Sequence, residues 1–152
     1  MKNKLLGLGV ALGVICLTAC TGGTFLHEYQ DVDLWGWSDD DTITFRLPII
    51  TSSGTVAAEI GARYTNTYDF TELIVLGIVE CDEQVVQTDT IRIPILRENG
   101  ANEGEGFPYT TTMHPADTFQ VDSGHTYSYK VKHLLPTPIR GITGIGLRLR
   151  GE

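Results

Sequence analysis

The sequence predicts an all-β domain, a two-sheet β-sandwich of seven or eight mostly antiparallel strands, placed behind a cleaved lipoprotein signal peptide. Three observations carry this. Short segments alternate apolar and polar residues with a period of two, the pattern of half-buried strands. Turn chemistry separates them, in a chain with 17 Gly and 6 Pro among 152 residues. No helical period follows the N-terminal apolar run. A closed barrel with a polar outer face fits the same alternation and is the competing architecture.

The N-terminus is an address. Met1-Lys-Asn-Lys4 is a short basic start, and Leu5 to Leu17 carries no charge. Those 13 residues are too few to span a bilayer as a helix, which takes roughly 20. A basic start with a short apolar run is a secretory signal. It closes on Leu17-Thr-Ala-Cys20, small residues before a Cys in the register of a bacterial lipobox. Cleavage there makes 1–19 the signal peptide, 20–24 a lipidated tether and 25–152 the sandwich domain. Acyl chains on Cys20 then anchor the protein, each buried CH₂ contributing about 0.8 kcal/mol. Thr21 stands where inner-membrane lipoproteins typically carry Asp. The expected location is therefore the outer membrane, facing the periplasm, with the domain held close by its short tether.

The strands follow in order. Asp41 to Ile50 alternates, with Ile43, Phe45, Leu47 and Ile49 on one face. Ser52-Ser-Gly54 is a turn. Thr55 to Thr65 places Val56, Ala58, Ile60, Ala62 and Tyr64 together. Leu73 to Cys81 is nearly all apolar and reads as a central strand covered on both faces. Asp82-Glu83 marks a tight turn. Val85 to Leu96 turns Ile91, Ile93 and Ile95 inward, and Asn99 to Gly106 is a glycine-rich loop. Phe119–Val121 and Thr126–Leu134 are joined by Asp122-Ser-Gly-His125 as a hairpin. Tyr127, Tyr129 and Val131 share a face. Gly144 to Arg150 closes the chain with Ile145, Leu147 and Leu149 inward. Pro48 and Pro94 each follow an Arg-Leu or Arg-Ile pair. Proline removes a ladder donor, so both strands are expected at edges or bulges.

Composition bounds the function. Apolar residues at 41% and charged residues at 20% allow a core and exclude a disordered chain. The net charge is −8, and loss of Lys2 and Lys4 with the signal takes it to −10. A domain this acidic repels phosphate backbones, so no nucleic-acid partner is expected. Cys16 leaves with the signal and Cys20 is acylated. Cys81 has no disulfide partner and reads as a half-buried, inert thiol.

No nucleophile elbow, His-Glu-x-x-His, phosphate loop or Cys-x-x-Cys is present. His27, His114, His125 and His133 are scattered, none at ligand spacing from another. No enzyme activity, cofactor or metal is expected. Asp31, Asp33 and Asp39 to Asp41 are hard oxygen donors close in sequence, but without EF-hand spacing they read as solvated loop carboxylates. Trp35-Gly-Trp37 sets two indoles on one phase of an extended segment, near the anchor and within reach of membrane-bound partners. Such rings serve a core, a protein interface or stacking on a sugar. Trp35, Trp37 and Tyr109, behind the Asn99–Phe107 loop, are the candidate interaction residues. The two indoles are expected to divide the work, one supporting the fold and the other meeting a partner.

Read together, the motifs resemble the gliding-motility lipoprotein GldH family. The resemblance starts at the lipobox Cys20. It runs through Trp37-Ser-Asp-Asp-Asp-Thr-Ile-Thr-Phe45 and Ala62-Arg-Tyr-Thr-Asn-Thr-Tyr-Asp-Phe-Thr-Glu-Leu73. Gly104-Glu-Gly106 stands in the place of a glycine-containing loop. Ser123-Gly-His-Thr-Tyr-Ser-Tyr129 and Gly141-Ile-Thr-Gly-Ile-Gly-Leu-Arg148 are similar to the family's closing hairpin and C-terminal strand. Glu72 stands where the family more often has Asn. The resemblance implies a non-catalytic outer-membrane lipoprotein that works with the gliding apparatus and the type IX secretion system, or with a related envelope assembly. Its partners would be envelope proteins, and its motifs bring no catalytic residue. The alternative from the residues alone is a lipid-anchored glycan-binding module.

Overall fold

The computed structural model describes residues 22–152 apart from positions 34 and 137. The expected signal segment 1–19 and the expected acylation site Cys20 lie outside the described residues. Eight strands follow in order: β1 (Thr24–Asp31), β2 (Ile43–Arg46), β3 (Gly54–Tyr64), β4 (Glu72–Cys81), β5 (Gln84–Pro94), β6 (Thr110–Val121), β7 (Tyr127–His133) and β8 (Ile142–Gly151). They form two four-stranded sheets, β1-β8-β3-β6 and β2-β7-β4-β5. Every pairing is antiparallel. The sandwich is the predicted one, and its strand order is that of a jelly roll. A barrel is excluded because, among the described residues, no ladder joins the sheets: β1 and β2 lie at one open side, β6 and β5 at the other.

The alternating segments build the core as their period dictates. Val56, Ala58, Ile60, Ala62 and Tyr64 of β3 are all buried, and so are Ile145, Leu147 and Leu149 of β8. Tyr127, Tyr129 and Val131 close the core from β7. The strands that lead into Pro48 and Pro94, β2 and β5, are both edges of their sheet. Pro94 ends β5 and Pro48 lies just beyond β2, so neither removes an interior ladder bond.

Four readings change. β1 was not visible as a strand because its apolar residues do not alternate inward. It is an edge strand held by backbone pairing to β8. Its Tyr29 lies outward, with the ring across Gly146 and Gly61, where a Cβ would collide with it. β6 extends nine residues upstream of the Phe119–Val121 segment. Pro115 and a polar composition hide it, and its register with β3 shifts so that Ala116 and Asp117 oppose Ala58 alone, a β-bulge. β4 is central in its sheet, yet Ile74, Leu76 and Ile78 on its outer face stay half-buried rather than covered. Finally, Ile49 does not continue the inward face of β2. The strand ends at Arg46, and beyond Pro48 the side chains change phase: Ile50 is buried and Ile49 is 89% exposed.

Strand direction gives the sandwich two poles. β1 begins and β8 ends at the pole nearest the expected lipid tether, the tethered pole, together with the β2–β3 connection, the Asp82-Glu83 turn and the β6–β7 turn. The distal pole carries the 32–42, 65–71, 95–109 and 134–141 connections.

Candidate functional site

The residues of Trp35-Gly-Trp37 part company at the distal pole. Asp33 begins the turn: its Oδ1 accepts the Trp35 N–H at 2.8 Å and its carbonyl accepts the Gly36 N–H at 3.1 Å. Gly36 then takes φ +132°, open to glycine and rarely to other residues. That backbone reversal puts the two indoles on different sides. Trp35 is 87% exposed and Trp37 is 1% exposed. Trp37 exchanges backbone hydrogen bonds with Ile139, at 2.8 and 2.9 Å, and its Nε1–H donates to the Asp41 carbonyl. The shared phase expected for an extended segment is therefore corrected, and Trp37 is a core residue without a contact surface to offer. Nearness to the anchor is corrected as well. The eight residues of β1, at about 3.3 Å each, carry the chain roughly 26 Å from the expected tether before either Trp.

His133 packs edge-on against the Trp37 ring, 5.0 Å between centroids. It is buried. Its Nε2–H donates to the Trp37 carbonyl at 3.1 Å, which leaves the buried Nδ1 without a partner.

The 95–109 connection is the other part of this pole. The Tyr64 hydroxyl donates to the Ile95 carbonyl and accepts the Gly104 N–H, pinning the base of the loop to β3. Gly104 passes so close to the Thr111 carbonyl that no Cβ fits. Phe107, at the tip, is 96% exposed, while Tyr109 is 40% exposed. Arg63 explains the difference: its guanidinium lies 4.1 Å from the Tyr29 ring centroid and 5.5 Å from that of Tyr109. Cation–π attraction draws Tyr109 toward the outer sheet face. Phe107 was legible only as the end of the glycine-rich loop; nothing in the sequence distinguishes it from Tyr109.

Cys81 is half-buried, as its sequence context predicts, and at the tethered pole it has a His neighbour. Cys81, Asp82 and His125 bring their donor atoms within 4.8 Å of one another. The two turns that carry them are far apart in sequence. Asp82 and Glu83 take φ 48° and 67°, a turn conformation that non-glycine residues rarely adopt. Asp82 anchors it: Oδ1 accepts both the Thr126 N–H and its hydroxyl at 2.9 Å, and Oδ2 lies 2.6 Å from His125 Nδ1. The His125 bond, followed by those of Thr126, holds the Asp82 carboxyl down at about 2; the same contact raises His125. Both Asp82 oxygens are thus occupied, and a metal would have to break the His125 bond. As folded, the cluster is a clasp between turns. Asp31, Asp33 and Asp39 to Asp41 form no comparable group of three among the described residues.

Residues 24–149 match the family model described as GldH lipoprotein. The chain belongs to the GldH lipoprotein family. It is 27% identical over 107 residues to the gliding motility lipoprotein GldH of Flavobacterium johnsoniae, across 70% of this chain and 66% of that protein. Among solved structures it is similar to a family 35 carbohydrate binding module from Clostridium thermocellum, with a TM-score of 0.38 and 10% identity over 84% of this chain and 90% of that one. A second likeness is to infectious bursal disease virus, Gx strain, with a TM-score of 0.29 and 9% identity over 86% of this chain and 31% of that one. Neither structural likeness bears on function. The GldH-like motifs of this chain are largely core: Trp37, Phe45, Tyr64, Tyr68, Leu73 and Leu147 are all buried. Gly141, at φ +86°, packs against the Tyr68 backbone where a side chain would collide. What these motifs specify is the fold.

Proposed function

We propose that this chain is a non-catalytic, lipid-anchored component of a gliding-motility machine or a related envelope assembly. It sits in the outer membrane, faces the periplasm and works beside type IX secretion. The observation that carries this is the family match over 24–149, taken with a relative named as a gliding motility lipoprotein. Burial of the motif residues supports a scaffold role, because a scaffold's signature is its core. Engagement of both Asp82 oxygens by His125 and Thr126 supports a structural role for these turn side chains. Trp35 is the expected contact: a large rigid ring, held out by a hydrogen-bonded turn, of the kind that dominates interfaces. A glycan-binding role loses support from the burial of Trp37, which leaves one indole where a stacking platform would use two.

Affinity capture of the intact lipoprotein from outer membranes, with partners identified by mass spectrometry, tests the proposal. Envelope-machine proteins should be recovered with the parent and depleted about tenfold with Trp35→Ala, equivalent to roughly 1.4 kcal/mol. Recovery of the protein in inner membranes, or equal capture by the variant, contradicts it.

A further inference from the structure

The tethered pole combines three features: where the chain leaves the sandwich, how little chain remains before the anchor, and what side chains surround the exit. β1 starts at Thr24, and four peptide steps separate it from Cys20. Fully extended, they span about 14 Å. The sandwich is much longer: β3 alone has 11 residues, roughly 36 Å of strand. A tether this short cannot let the domain turn its distal pole to the bilayer.

The surface around the exit is unusual for this acidic chain. Leu47 to Ala58 contains no charged residue, although charged residues make up 20% of the sequence. Ile49 is 89% exposed and Phe25, on the second residue of β1, is 38% exposed. Both line one open groove, with Gly23, Pro48 and Val56. The segment is not a loose loop. The Ser123 N–H donates to Ser53 Oγ at 3.0 Å and the Gly124 N–H to the Ile50 carbonyl at 3.4 Å. Ile50 is locked into the core while its neighbour Ile49 is held outward with nothing to pack against.

We propose that this pole docks on the lipid surface that holds the anchor, with Ile49 and Phe25 entering the headgroup–acyl boundary. The inference rests on the reading of Cys20 as the acylated residue. The occupant is a bilayer because the tether delivers one to within a few residues of this patch and delivers nothing else there. Tethering gives a high effective concentration, so weak apolar contacts suffice to hold one pose. Attraction of opposite charge has no part in it: Asp82, Glu83, Asp122 and Glu152 share the pole, and Asp82 is already bonded to His125. The pose aims Trp35 and Phe107 away from the membrane, toward the periplasm.

Brominated lipids, which quench indoles only within the bilayer, test the pose on full lipidated protein in phosphatidylcholine–phosphatidylethanolamine vesicles. Ile49→Trp in a Trp35→Phe background places an indole in the patch, and Ile49 is exposed enough to accept it. The emission of the patch indole, taken above the constant Trp37 signal of the Trp35→Phe background, should fall at least twofold, whereas the parent, with both native indoles at the distal pole, should change by less than about a tenth. Adding Phe25→Asp should reverse the quenching. Unquenched emission from protein that floats with the vesicles overturns the docked pose and leaves anchoring intact. Failure to float overturns the anchoring reading, and the pose with it.

Discussion

The hydroxyl of Tyr129 donates to Oδ1 of Asp117 at 3.1 Å, between the two sheets. Asp117 reaches that position because the β6 bulge turns it inward, opposite Ala58 and across from Asp89 on β5. Its Oδ2 is buried without a partner. Burial pushes the Asp117 carboxyl up to about 6, and Asp89 adds to the effect while the Tyr129 bond opposes it. A carboxyl raised on folding binds its proton more tightly in the native state. Its contribution to stability is therefore greatest in acid and declines as pH rises from about 4 to about 6. Asp117→Asn should melt higher than the parent at pH 8 and match it at pH 4. A lower melting temperature at pH 8 would mean that the ionised Asp117–Tyr129 bond outweighs the burial cost.

The tryptophans give a second, paired outcome. Trp37→Ala removes a ring 1% exposed, with a hydrogen-bonded Nε1, and should cost about 3–5 kcal/mol in denaturant unfolding. Trp35→Ala removes a ring 87% exposed and should leave the unfolding midpoint in place. Equal destabilisation by both would contradict the different positions of the two rings.

Leu147 is 0% exposed at the centre of β8, between β1 and β3. Leu147→Ala should cost about 2–5 kcal/mol, a large share of the stability of a domain this size. Thermal melts followed by far-ultraviolet circular dichroism check this, and an unchanged curve would remove β8 from the core.

Cys20→Ala should abolish fatty-acid incorporation and release the protein to the soluble periplasmic fraction, or leave it unprocessed. Metabolic labelling equal in parent and variant would remove the anchor on which the membrane pose depends.

The sequence by itself determined the all-β class, the faces of β3, β7 and β8, the edge positions of the strands that lead into Pro48 and Pro94, and the family. Each of these is written in local terms: a period of two, a missing donor, an ordered set of motifs. What it could not determine depended on partners distant in the chain or on single backbone dihedrals. The separate ladders of the two sheets decided the sandwich over the barrel. β1 and the part of β6 before Phe119 are strands because β8 and β3 offer them ladders, and their own side chains carry no period that says so. Trp35 and Trp37 are separated by the φ of Gly36, and Ile49 is turned outward by the end of β2 before Pro48. Cys81, Asp82 and His125 meet because two hairpin turns end at one pole. Periodicity reports which face of a strand is apolar; only the assembled sheets decide which turns become neighbours and which apolar side chains are left facing out.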